Sequence, residues 1–260
     1  MLSLSTSPFS LLPPSTLSSP SPALTLHRPL PLIRLKNPKT PSLLAFCSPP
    51  SQAGISPIST SSSPLGDPFS DFVEKDWSFL EFDHVNTNEE IEEKSKRIIE
   101  AAAIRDDSKV LVCLGTEDFV DRVRASSQCQ LLVVHYSLYV LAGVKEKYDT
   151  VRCWQGDIVD VPAKWAPFDA IFLCFFPALP CSLDRLFGAL VERCSPGACV
   201  VISYAQGREI VERQRQRYPE MVTSDLPDKD TLEKLAAANS FQITDFIDEP
   251  NFYLATLKFV

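Results

Sequence analysis

Beyond residue 86 the chain alternates between short unbroken apolar runs and longer stretches in which apolar residues recur every three or four positions. The runs are Val110-Leu111-Val112-Cys113-Leu114, Leu131-Leu132-Val133-Val134, Val151-Arg152-Cys153-Trp154, Phe168-Asp169-Ala170-Ile171-Phe172-Leu173-Cys174 and Cys199-Val200-Val201-Ile202-Ser203. Runs of this length with little polar alternation belong to strands covered on both faces. Residues 117–125, 137–148 and 182–194 read as helices. The last of these carries Leu183, Leu186, Phe187, Leu190 and Val191 on one face. Ser195-Pro196-Gly197 then reads as the turn into the fifth strand. Ahead of the first strand, residues 89–104 form a further predicted helix with Ile91, Ile98, Ile99 and Ala102 along one stripe. Thr87 and Glu90 supply a capping box at its start.

The end of the chain follows a different rule. A helix over 229–239 precedes two strand-like runs, 241–246 and 252–259, separated only by Asp248-Glu249-Pro250-Asn251. Strands joined this closely pair antiparallel, because a parallel crossover needs about a dozen residues or more. The expected fold is therefore α/β: a three-layer doubly wound sandwich on a mostly parallel seven-stranded sheet with a C-terminal antiparallel hairpin.

Composition divides the chain in two. Residues 1–66 contain no Asp or Glu, 4 Lys+Arg, 13 Pro and 16 Ser. Ser-rich, acid-free and mildly basic is the composition of an organellar transit peptide. The prolines prevent the long amphipathic helix of a mitochondrial leader, so the address expected is the chloroplast, and after import its stroma. The expected organisation is a transit peptide and Ser/Pro linker over 1–66, a lead-in and helix over 67–108, and the sheet domain over 109–260. The lead-in is rich in aromatics: Phe69, Phe72, Trp77, Phe79 and Phe82.

Removing residues 1–66 leaves 21 basic and 33 acidic side chains, a net charge of −12. Such an acidic domain is unsuited to generic binding of a phosphate backbone, so nucleic acid is not the expected partner. No apolar run approaches the ~18–20 residues of a membrane span. No Cys-x-x-Cys spacing signals a metal or redox site, and Cys113, Cys174 and Cys199 sit inside apolar runs as small hydrophobes. Residues 207–220, GREIVERQRQRYPE, mix Arg208, Arg213, Arg215 and Arg217 with Glu209 and Glu212. They read as a solvated helix with a Glu209–Arg213 pair, or as a surface for a stromal protein partner.

From Lys109 onward, four local matches make the chain similar to the class I S-adenosylmethionine-dependent methyltransferases. Val110 to Gly115 stands where the first strand and glycine loop belong. Gly156-Asp157-Ile158 resembles the loop whose acidic residue contacts the adenine amino group. Phe168-Asp169-Ala170-Ile171 resembles the fourth-strand motif, and Leu190 to Val201, with Ser195-Pro196-Gly197, the helix-turn-strand that follows. The resemblance implies S-adenosylmethionine as cofactor, held by Gly115, Thr116, His135, Asp157 and Ile158.

The chain departs from that pattern at two places. Where the family reads roughly Leu-Gly-x-Gly-x-Gly, this chain has Leu114-Gly115-Thr116-Glu117-Asp118-Phe119, so Glu117 and Phe119 replace two glycines. Glu117 brings an anion near the cofactor's own carboxylate. At the tip of the second strand His135 (or Tyr136, one residue on) replaces the carboxylate that accepts both ribose hydroxyls. A neutral imidazole accepts one hydrogen bond there, not two. The fourth strand ends Cys174-Phe175-Phe176-Pro177, without the Asn/Asp-Pro-Pro-aromatic of amino-group methyltransferases, and no catalytic residue is identifiable. Phe175, Phe176, Trp154 and Trp165 read as core, with an aromatic pocket as the alternative. The expected function is a non-catalytic assembly or interaction factor, a pseudoenzyme with a degenerate cofactor loop. The alternative is an active, divergent methyltransferase on a small-molecule or protein substrate.

Overall fold

A computed structural model describes residues 74–80 and 86–260. The expected leader and linker, and Phe69, Phe72 and Phe82 of the lead-in, lie outside the described residues. Helix α1 (Asn88–Ala101) opens on the expected capping box: Thr87 accepts from Glu90 N, and Glu90 reaches back to Thr87 N. It stops short of residue 104 because Ala103 turns to φ 47°. Then follow β1 (Lys109–Cys113), α2 (Glu117–Ser126), β2 (Gln130–His135), α3 (Leu138–Lys147), β3 (Arg152–Gln155) and β4 (Phe168–Leu173). After these come α4 (Leu183–Val191), β5 (Cys194–Tyr204), α5 (Arg208–Arg217), α6 (Lys229–Ala238), β6 (Phe241–Glu249) and β7 (Phe252–Phe259). Two 3-10 turns, Ile158–Asp160 and Ala163–Trp165, take the place of a helix between β3 and β4.

The sheet order is β3-β2-β1-β4-β5-β7-β6. Pairings from β3 through β5 are parallel, and β7 pairs antiparallel with both β5 and β6. Within one strand, successive side chains enter opposite cores. Leu111 and Cys113 face a cluster with Leu186, Phe187, Leu190, Val211 and Leu232 of α4, α5 and α6. Val110 and Val112 face one with Ile98, Phe119, Val123, Leu141 and Val144 of α1, α2 and α3. Apolar cover on both faces explains why these strands have no polar alternation. The three-layer sandwich is as expected. Among the described residues no helix is long and apolar enough to cross a membrane.

One local expectation is corrected. Ser195-Pro196-Gly197 is not a turn ahead of the fifth strand but a bulge within it. Phe168 pairs with Cys194 and Ala170 with Cys199, so the residues between loop out of the ladder. Gly197, at φ 80°, supplies the conformation the bulge requires. Helix α4 accordingly ends at Val191, before the expected Cys194, which is already in the strand.

At the carboxyl ends of the strands, a buried lysine ties three elements together. Lys94 of α1 donates to the carbonyls of Ala205 (3.1 Å) and Asn251 (2.8 Å) and to the Asn86 side chain. An ammonium can lose its water only when its donors are met in this way. The seven cysteines of the described residues are free thiols. Burial holds the Cys113 and Cys174 thiols well above the usual range and pushes Cys194 up to about 12, so they pack as protonated hydrophobes.

Candidate functional site

The loop leaving β1 is tight. Leu114 takes a left-handed φ of 54° while its N–H donates to Val134 O at 3.0 Å. Gly115 has no room for a side chain, since a Cβ there would meet Val112 Cγ1 at 2.5 Å. Thr116 caps α2, its hydroxyl accepting from Phe119 N at 3.2 Å. The two residues that replace glycines turn away from the loop. Phe119 packs into the core edge-to-face on Phe172, centroids 5.6 Å apart. Glu117 swings to α3, 3.2 Å from Lys147 Nζ, and lies where Gly143 has no side chain. Hydrogen bonds to Asp121, and then to Glu117, hold the Lys147 ammonium above its ordinary range.

The tip of β2 is closed. His135 is buried, and its Nδ1 accepts from Ser137 N at 2.9 Å. Burial pulls its pKa down to about 4, so the ring is neutral at pH 7. Tyr136, next in the chain, lies under Trp77 from the lead-in: centroids 5.6 Å apart, planes at 15°. Trp77 also meets His135 edge-on at 5.2 Å and is only 6% exposed. The stack continues through Phe79 (6.1 Å, 24°) to Tyr218 beyond α5 (4.5 Å, 21°). Phe79 also sits edge-to-face on Phe175, 5.7 Å away. Four rings thus cross the carboxyl edge of the sheet from β2 to the end of α5. Burial, and secondarily the charge of Asp157, keep the Tyr136 phenol protonated.

Asp157 caps the first 3-10 turn, its Oδ1 accepting from Val159 N at 3.2 Å. Ile158 is 1% exposed and part of the core. The five residues named from the sequence do not share one chamber. Thr116 lines a cavity of about 370 Å³ with Leu80, Glu117, Cys174, Phe175 and Ser203. Gly115 lies in the loop beside it, His135 and Ile158 are buried, and Asp157 is not part of its lining. A second cavity, of about 330 Å³, opens beside Tyr136 and Gly156. The 3-10 turn Ser78–Leu80 joins them: Leu80 lines the first and Trp77, just ahead of it, the second. Phe175 and Phe176 are core, while Trp154 and Trp165 meet edge-to-face elsewhere at 5.7 Å, so the alternative of one aromatic pocket does not hold.

Sequence reasoning did not single out Trp77, Phe79 or Glu74 as site residues. Aromatic density in the lead-in was the available signal; it does not say which surface the rings cover. Glu74 places a carboxylate at the start of α3, Oε1 accepting from Leu138 N at 3.0 Å. In α5, Arg208 pairs with Asp248, and Arg215 with Glu212 and Asp225. Those are the ion pairs α5 makes among the described residues, in place of the expected Glu209–Arg213.

This topology, with the cleft over its reversal between β1 and β4, is that of the class I S-adenosylmethionine-dependent methyltransferases. Solved structures agree in fold. Geranyl diphosphate C-methyltransferase from Streptomyces coelicolor A3(2), in complex with S-adenosyl-L-homocysteine, matches 70% of this chain and 84% of its own, with TM-score 0.54 and 10% identity. The N-methyltransferase NodS from Bradyrhizobium japonicum WM9, also with S-adenosyl-L-homocysteine, matches 66% and 89%, with TM-score 0.50 and 10% identity. A Haloferax volcanii complex containing the Trm112 methyltransferase activator matches 64% and 88%, with TM-score 0.52 and 10% identity. No protein-family model and no curated protein sequence matches the chain.

Proposed function

We propose that this chain is a non-catalytic protein on a methyltransferase scaffold, acting in the chloroplast stroma as an assembly or interaction factor. The observation that carries the reading is the Tyr136–Trp77–Phe79–Tyr218 stack, which fills the space over the β2 tip from within the chain. A ribose and adenine entering there would have to displace rings that are already packed. The β1 loop supports the same reading, since Glu117 and Phe119 stand where the family has glycines and Thr116 caps the helix they begin. The leader composition supports the stroma. The exposed arginines of α5, Arg213 and Arg217, are suited to an acidic protein partner.

A second reading has its own support. The cavity beside Thr116 stays open above β1 and β4, and Asp157 keeps its place after β3. These suit an active methyltransferase whose lead-in moves aside. Titration calorimetry of the full chain with S-adenosylmethionine and S-adenosyl-L-homocysteine separates the two. The expected result is no saturable heat at millimolar ligand. Micromolar binding lost on Asp157→Ala would replace the proposal with the enzyme reading. For the partner, Arg213→Glu with Arg217→Glu is expected to abolish capture of a stromal protein by the tagged chain.

A further inference from the structure

A third cavity, of about 330 Å³, lies at the opposite edge of the sheet from the cofactor cleft. Lys109, Gln130, Arg152 and Phe168 line it, and each is the first residue of its strand: β1, β2, β3 and β4 in turn. The residues named for the cofactor stand instead at or beyond the carboxyl ends of β1, β2 and β3. The connection from β3 to β4 forms part of the wall. Where a helix would cover the sheet, two 3-10 turns stand, and Trp165 of the second is half-buried at the cavity. The volume falls within the range of small-molecule sites.

Charge at this wall is of one sign. Lys109, Arg124 and Arg152 line the cavity, and no Asp or Glu does. The domain around them carries a net charge of −12, so the cluster runs against its average. The cations of Lys109 and Arg152 make no hydrogen bond or ion pair among the described residues. Arg124 is fixed in place, donating to Cys129 O at 2.9 Å and to Gln128 Oε1 at 3.4 Å. Each of those terminal nitrogens keeps a second N–H. Lys145 adds a further ammonium behind the wall, on Val151 O at 3.0 Å. Asp106 and Asp169 bond to lining residues from outside, on Gln128 N and Lys109 N, and neither enters the lining. Like charges gathered around one recess repel, and low-dielectric walls focus their field on whatever enters.

We infer that this cavity is a binding site for a small aromatic anion, its oxyanion held among Lys109, Arg124 and Arg152 and its ring against Trp165. Guanidinium groups donate in a planar fork that matches a carboxylate or phosphate, and such charge-assisted bonds are the strong ones. The indole of Trp165 offers the accessible apolar surface for a flat body. The site is independent of whether S-adenosylmethionine binds, because the two lie at opposite ends of the same strands.

The test uses the full chain and four probes, 1-naphthyl phosphate, methyl phosphate, 1-naphthol and 1-naphthylmethylamine, titrated by ligand-observed NMR. Naphthyl phosphate is expected to bind saturably, about tenfold or more tighter than methyl phosphate or naphthol, with the amine weakest. That order is diagnostic, because the net charge of the domain alone would favour the amine. Arg152→Glu, at an exposed strand end, should remove the preference for the anion while leaving the unfolding midpoint in place. Lys109→Gln should reduce it. Lys234→Glu, an exposed cation of α6, should leave it unchanged, and excess S-adenosyl-L-homocysteine should not compete. Equal affinity for naphthyl phosphate and the amine, or for naphthyl and methyl phosphate, would overturn the assignment. So would an unchanged preference in Arg152→Glu, or no saturable binding up to roughly 10 mM naphthyl phosphate.

Discussion

Trp77 lies flat over Tyr136, ring centroids 5.6 Å apart and planes at 15°, joining the lead-in to the β2 tip. Both rings pack beside His135 at the carboxyl edge of the sheet. Trp77→Ala would remove a side chain that is only 6% exposed from between Tyr136, His135 and Phe79. A loss of about 3 kcal/mol, toward the lower end for Trp→Ala in a core, is expected in chemical denaturation. Under the proposed function the same variant, if still folded, is where weak S-adenosyl-L-homocysteine binding should first become measurable.

His135 makes stability depend on pH. Its folded pKa of about 4 lies below the usual 6.5, so between those values the unfolded chain binds more protons than the folded one. Its contribution is complete above pH 6.5 and is lost as pH falls toward 4, up to roughly 3 kcal/mol. Urea midpoints from pH 7.5 to 4 should fall through this window, and His135→Asn should flatten the slope. Asp106 and Asp228 act lower down. Hydrogen bonds to Gln128 N and Thr231 N, respectively, depress their carboxyls below 3.8, so that stabilisation disappears only under stronger acid.

Gly143 and Glu117 should prove coupled. In a helix interior Gly→Ala normally gains about 1 kcal/mol. On Gly143, however, a methyl would collide with the Glu117 carboxylate and push it off Lys147. Gly143→Ala should therefore give its full gain in a Glu117→Ala background and less in the parent chain. A double-mutant cycle on unfolding free energies measures the difference, and strict additivity would count against the contact.

Gly207 has φ 74°, and a Cβ there would strike the carbonyl of Pro250 in the β6–β7 turn. Backbone, unlike a side-chain end, cannot step aside. Gly207→Ala should cost about 2 kcal/mol or more, combining left-handed strain with displacement of the turn. Thermal unfolding would show it. The Lys94 contacts to Ala205 O and Asn251 O should weaken with it, since both carbonyls flank the displaced segment.

Periodicity in the chain was enough for the sheet, its parallel strands, the C-terminal hairpin and the Thr87 cap, because these follow from local spacing and from closing short connections. The SPG segment misled for a reason of the same kind. Its residues favour a turn, but pairing with β4 on both sides absorbs them as a bulge. The candidate site was legible in part. The sequence puts Glu117 and Phe119 where the resembled family has glycines, but not their direction: one goes to Lys147, the other to Phe172.

The alternation of apolar residues by itself determined the layers and strand directions of this protein, and the sequence already showed His135 at the β2 tip where the resembled family has an acid. Only the tertiary structure decided what packs at the β2 tip. Trp77 and Tyr136 are far apart in the chain, and no local spacing relates them. Their stacking depends on the lead-in crossing the carboxyl edge of a sheet whose strands are ordered by long-range pairing. Glu74 reaches the start of α3 by the same route, accepting there from Leu138 N.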